Sequence, residues 1–145
     1  MQISKRFGIL LLGAVFAAGL GVGVVLDDPA EARAASDGIY ELRTYTAAPG
    51  KVDEVIDELR HAAEGFERVG VTNVGYWVPT DAPHSETTVI YMLKFDTLEQ
   101  RAQQFEDFRT DPEWRRVWDE YNKDGRIVAN VDSLYLEATD YSPLQ

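Results

Sequence analysis

The chain has no cysteine among its 145 residues. That absence excludes a disulfide framework, a thiolate metal site, a cysteine nucleophile and a lipid-modified N-terminal cysteine. Positive charge is scarce as well: 14 Lys and Arg against 25 Asp and Glu leave a formal net charge of -11. A nucleic-acid partner needs clustered cations to displace counterions from phosphate, so none is expected, and the acidity serves solubility. Histidine occurs only at His61 and His84, neither in a predicted strand. A buried haem or transition-metal site built on strands therefore lacks ligands, and no metal or cofactor is expected. The acidic group Asp53, Glu54, Asp57 and Glu58 lacks the loop spacing of a calcium site and reads as a solvated helix face. A Gly-rich phosphate loop, a Gly-x-Ser-x-Gly elbow and a His-Glu-x-x-His pair are all missing.

What is present begins with one long uncharged run. Lys5 and Arg6 precede residues 7 to 26, which carry no charge, and Asp27, Asp28, Pro29 and the small-residue pattern Ala32-Arg33-Ala34 follow. That is the layout of a secretory signal, although a run of this length also suffices to cross a bilayer as a helix. Glycines at 8, 13, 19, 21 and 23 weaken a permanent helix and favour cleavage. Residues 1 to 34 are expected to be a signal peptide or, alternatively, an N-terminal anchor in the cytoplasmic membrane of a bacterium. Residues 35 to 145 are expected to form one exported domain, periplasmic or extracellular, that meets a membrane only through that segment.

Within the domain, residues 39 to 46 alternate as a strand, with Tyr40, Leu42 and Thr44 on one face and Ile39, Glu41, Arg43 and Tyr45 on the other. Pro49-Gly50 ends it, and Asp53 and Glu54 sit in the first turn of a helix, where the macrodipole favours negative charge. Val52, Val55, Ile56, Leu59, Ala62, Ala63, Phe66 and Val69 recur on one stripe of that helix. Gly70 stops it, residues 71 to 79 form a second strand, and residues 80 to 85 form a surface loop. The third strand, residues 86 to 95, is the most continuously apolar and so the central one. Thr97 and Gln100 form a capping box for a helix with Leu98, Ala102, Phe105 and Phe108 facing inward. Asp111-Pro112 restarts the helix with Trp114, Val117, Trp118 and Tyr121 as its stripe, and residues 126 to 137 form the fourth strand.

The order β-α-β-β-α-β predicts an α+β, ferredoxin-like domain with one antiparallel sheet and both helices on one face. The other face, expected to hold Glu41, Arg43 and Tyr45, then needs a cover. A second copy closing sheet against sheet into a dimeric α/β barrel would supply it.

Several blocks carry a family likeness: Tyr40-Glu41-Leu42-Arg43-Thr44-Tyr45 with Pro49-Gly50-Lys51, Gly75-Tyr76-Trp77, Phe95-Asp96-Thr97-Leu98 with Arg101, and Asp111-Pro112-Glu113-Trp114. Over residues 39 to 137 the chain resembles the NIPSNAP family, within the wider group of dimeric α/β-barrel proteins. The resemblance implies a ferredoxin-like subunit and a barrel-forming homodimer, and it implies no settled activity. Tyr91 and Leu93 stand where members often carry a His and a Trp in the third strand.

The candidate ligand-binding residues are Glu41, Arg43, Tyr45, Trp77 and Tyr91. A guanidinium inside a barrel offers a fixed fork to an anion, with Glu41 orienting it, and the three aromatic side chains could line a pocket for a planar ligand. Each also has a plainer reading: Glu41 and Arg43 as a structural ion pair, the aromatic residues as core or interface packing. Trp114 and Trp118 read as core, and His61 and His84 as surface. Two functions remain open: a homodimeric module for a small apolar or anionic ligand or a partner, or an enzyme of the cofactor-independent monooxygenase type acting on an aromatic substrate. No residue is marked as a catalytic base.

Overall fold

The computed structural model describes residues 38–144, so the leader assigned to residues 1 to 34 lies outside the described residues. The first strand, β1, spans Ile39–Ala47 and is followed by α1, Val52–Arg68. The edge strand β2, Thr72–Trp77, leads through a single 3-10 turn at His84–Glu86 into β3, Thr88–Phe95. The second helical region is divided into α2, Leu98–Thr110, and α3, Pro112–Asn122, before β4, Val128–Glu137, closes the domain. All pairings are antiparallel and the sheet order is β2-β3-β1-β4. This is the ferredoxin-like arrangement, with β1 and β3 at the centre.

The helix boundaries follow their expected chemistry. Thr97 Oγ1 accepts the Gln100 N–H at 3.0 Å, and Gln100 Oε1 reaches back to accept the Asp96 N–H at 2.8 Å. Asp111 both ends α2 and caps α3, its Oδ1 accepting the Glu113 N–H at 2.8 Å. At the entry to β1, Gly38 adopts φ +116°, and a Cβ there would lie 2.4 Å from the Phe95 carbonyl oxygen. Only glycine fits that approach.

The core fills the layer between sheet and helices. Val55, Leu59, Ala62 and Phe66 of α1 pack with Val89, Tyr91, Leu93 and Phe95 of β3 and with Phe105 and Phe108 of α2. Phe66 is the hub, stacked on Phe108 at 4.2 Å between ring centroids and tilted against Phe105 at 5.6 Å and Tyr91 at 6.3 Å.

Three expectations about helix faces are corrected. Leu98 is 52% exposed and Ala102 is also exposed, while Gln104 is buried beside Phe105 and donates through Nε2 to the Gly70 carbonyl at 2.9 Å. The α2 stripe therefore starts one turn later than its hydrophobic residues suggest, while Arg101 of the first turn reaches Glu41 on the central strand β1. Trp118 is 42% exposed and not core. Glu58, placed by its charge on a solvated face, is buried, because it falls three residues after Val55 and four before Ala62 on the inward stripe.

Truncating the hub removes the ring that joins three elements. Phe66→Ala is expected to lower unfolding free energy by about 3 to 5 kcal/mol, read from the urea midpoint; a loss below about 1 kcal/mol would show that the layer collapses around the void.

Candidate functional site

The decisive geometry starts on β1. Glu41 pairs in register with Leu93 and Tyr135, Arg43 with Tyr91 and Ser133, and Tyr45 with Val89 and Val131. Residues opposite one another share a sheet face, and this face is the one under the helices. The Arg101 side chain of α2 binds Glu41, and the Arg43 guanidinium carbon lies 5.2 Å from the Phe105 ring centroid. The expectation that Glu41, Arg43 and Tyr45 look away from the helices is therefore reversed. Tyr40, Leu42 and Thr44 take the helix-free face, because alternation fixes two sets of residues but not which set faces the helices.

Glu41 is 0% exposed and accepts four hydrogen bonds. Arg101 grips it from α2 with two parallel donors, Nε to Oε2 at 2.9 Å and Nη2 to Oε1 at 2.9 Å. Arg43 Nη1 donates to Oε1 at 2.6 Å, and Ser133 Oγ of β4 donates to the same oxygen at 3.0 Å. Burial alone would raise the carboxyl pKa, but the Arg101 hydrogen bonds and the charge and hydrogen bond of Arg43 outweigh it and hold it below the ordinary value. Two guanidiniums face one carboxylate, so the cluster carries one net positive charge. The Arg43 and Arg101 side chains are 12% and 21% exposed, and Arg43 Nε is buried with no hydrogen-bond partner.

The Arg43 charge reaches the tyrosines. Its guanidinium carbon lies 5.7 Å from the Tyr45 ring centroid and 5.8 Å from that of Tyr91. The Tyr91 hydroxyl donates to the Tyr45 hydroxyl at 3.0 Å, and the rings meet edge to face at 5.2 Å. Tyr91 is fully buried, which pushes its pKa well above the ordinary phenol value, so it remains a neutral donor.

Beyond this pair lies a cavity of about 80 Å³ between sheet and helices, room for several waters or one small ring. Tyr45, Tyr91, Phe66, Phe108, Trp114 and Trp118 form its aromatic walls; Glu58, Asn122 and Arg126 supply further polar atoms. Glu58 Oε1 accepts a hydrogen bond from Asn122 Nδ2 at 2.9 Å. Burial raises the Glu58 pKa, opposed by the Asn122 hydrogen bond and the Arg126 charge.

Four of the five sequence candidates, Glu41, Arg43, Tyr45 and Tyr91, thus come together. Trp77 does not: it pairs with Ile90 on β3, whose side chain points away from Tyr91, and it lines a separate apolar groove of about 320 Å³ with Ile56, Ala63, Tyr76 and Val89. The site residues that sequence reading missed are Arg101, Ser133, Glu58 and Asn122. Only Glu58 had a local signal, a carboxylate inside an apolar stripe. Among the described residues, no three His, Cys, Asp or Glu side chains gather to hold a metal ion.

The two buried carboxylates respond to pH with opposite sign. The lowered Glu41 pKa contributes stability that is present above the unfolded-state value and lost as pH falls through the folded one. The raised Glu58 pKa contributes stability below the unfolded-state value that is lost as pH rises through the folded one. Glu41→Gln is expected to cost about 3 kcal/mol at pH 7, the lower end for breaking a buried pair because both guanidiniums reach water, and to flatten the acid limb of a stability-against-pH curve. Glu58→Gln is expected to be at least as stable as the parent at pH 7. An equal loss in both variants would refute the assignment.

A family model described as NIPSNAP matches residues 40–143. Among solved structures, a NIPSNAP family protein of unknown function from Agrobacterium tumefaciens is similar at TM-score 0.64 and 18% identity, over 77% of this chain and 96% of that one. A second NIPSNAP family protein from the same bacterium gives TM-score 0.61 at 26% identity, covering 74% and 90%. An uncharacterized NIPSNAP domain protein from Burkholderia xenovorans gives 0.59 at 22%, covering 72% and 98%. No curated protein sequence matches the chain.

Proposed function

We propose, from the premise that this chain belongs to the NIPSNAP family, that it is a homodimeric module binding one small ligand per subunit between its sheet and its helices. The observation that carries this reading is the cavity itself. Polar groups from β1, β3, α1 and α3 converge on a small void whose other walls are aromatic and aliphatic, and an apolar pocket with a few convergent polar atoms is the usual form of a small-molecule site. Its size favours a single ring. The net positive charge behind Tyr45 and Tyr91 favours a ligand oxygen that is anionic or partly negative. Arg43 then acts through the tyrosines and through Glu41 rather than as an open fork. No side chain at the site specifies oxygen chemistry, so the monooxygenase reading is taken no further.

The homodimer is supported by the helix-free face. Leu42 of β1, Ile90 and Met92 of β3, and Leu134 and Leu136 of β4 share it by register, and Leu134 is 57% exposed. A second copy presenting the same patch would cover it, as an isologous interface requires. Export by residues 1 to 34 completes the reading and rests on the leader's residue pattern alone.

Two measurements test these statements. In sedimentation velocity at micromolar concentration the protein is expected as a dimer, and Leu134→Glu combined with Ile90→Glu as a folded monomer; a concentration-independent monomeric parent would remove the dimer. In ¹⁵N spectra, titration with phenol and benzoate is expected to move the indole N–H signals of Trp114 and Trp118 and to leave Trp77 in place. Shifts at Trp77 alone, or no shift with either compound, would refute the cavity as the ligand site.

A further inference from the structure

We infer that the cavity is a site of proton transfer to and from carbon: Glu58 removes a proton α to the carbonyl of a small cyclic ketone whose oxygen is held by the Tyr45 hydroxyl. This inference rests on the binding reading above and adds a reaction to it.

Glu58 is buried and its carboxylate makes no ion pair among the described residues; its one hydrogen bond comes from Asn122. Burying a carboxyl group without an ion pair costs stability, and the fold's ion-pair scheme, centred on Glu41, leaves Glu58 out. It borders the cavity together with Tyr45 and Tyr91. Burial also raises its affinity for a proton, which makes it a better base than an exposed carboxylate and brings it nearer to neutral operating pH.

The tyrosine pair is arranged for the complementary role. Tyr91 donates to Tyr45 at 3.0 Å, so the Tyr45 oxygen is already an acceptor and its own proton is available to a ligand. Arg43 lies behind both rings, and its charge strengthens the donor by polarising the pair. Aromatic rings wall much of the void, and fixed donors aimed at a developing oxyanion act most strongly in apolar surroundings. Base and oxyanion donor thus border one void, the pairing that enolisation requires.

The reaction balances without any co-reactant. The Glu58 carboxylate takes the proton from C2 of a β,γ-unsaturated cyclic ketone, and the C–H electron pair moves through the carbonyl to give a dienolate whose oxygen accepts the Tyr45 hydrogen bond. The Glu58 carboxyl then returns the proton at C4, the electrons close the conjugated enone, and the protein is unchanged. No atom is oxidised or reduced by an outside partner.

Cyclohex-3-en-1-one tests this with the whole protein, since its conversion to cyclohex-2-en-1-one is followed by the ultraviolet absorbance of the conjugated product. The expected result is isomerisation above the buffer rate. Glu58→Gln should slow it by about 100-fold or more and Tyr45→Phe by about 100-fold, while Trp77→Phe, outside the cavity, leaves it unchanged. Ketone-induced shifts of the Trp114 and Trp118 indole signals should persist in Glu58→Gln. If those shifts appear in the parent but neither isomerisation nor α-proton exchange into D₂O exceeds the buffer rate, the proton-transfer inference is wrong and the binding reading stands. If the ketone, phenol and benzoate all produce no shift, both fail. A Glu58→Gln variant as fast as the parent overturns the inference in either case.

Discussion

A carboxylate with no exposure is the constraint that the rest of this domain answers to. Removing Glu41 from water costs several kcal/mol unless its oxygens are fully engaged, and four donors from β1, α2 and β4 engage them. Each donor fixes something beyond itself. Arg101 sets α2 over the middle of the sheet and places Phe105 above Arg43. Ser133 fixes the β4 register against β1, so that Tyr135 flanks Arg101 and Leu134 faces outward. Arg43, drawn inward by the same carboxylate, takes its place beside Tyr45 and Tyr91. Because side chains alternate along a strand, burying Glu41 under the helices obliges Leu42 to face away from them.

That single choice of side separates the two proposed functions in space. The polar cluster and the cavity lie between sheet and helices, while the apolar residues Leu42, Ile90, Met92 and Leu134 share the helix-free face. The proposed chemistry and the proposed assembly therefore fall on opposite faces of one sheet. The cluster serves the cavity indirectly: its positive charge polarises the Tyr91–Tyr45 hydroxyl pair, whose far side borders the void with Glu58.

The architecture was legible because each element carries its own local signal. The Thr97 and Asp111 caps, the α1 stripe and the alternation in β3 each agree with the β-α-β-β-α-β order, and the sheet order follows from it. The two-set alternation of β1 was equally plain, but which set faces the helices depends on Arg101, whose long side chain folds back from a helix about sixty residues later in the chain. No pattern within the strand encodes that. Charge misled in the same way at Glu58: an acidic residue in an acidic run reads as solvent-facing, whereas helical period places it inward. The converse error was made at Leu98 and Trp118, apolar residues that the fold leaves about half exposed.

The most direct measurement is a double-mutant cycle between Glu41 and Arg101, using Glu41→Gln, Arg101→Gln and the pair, with unfolding free energies from denaturant titration. If the carboxylate is held within the subunit by α2, the two changes interact by about 1 to 3 kcal/mol. Strict additivity, within about 0.5 kcal/mol, would mean that Glu41 and Arg101 do not meet and that β1 presents its charged face elsewhere.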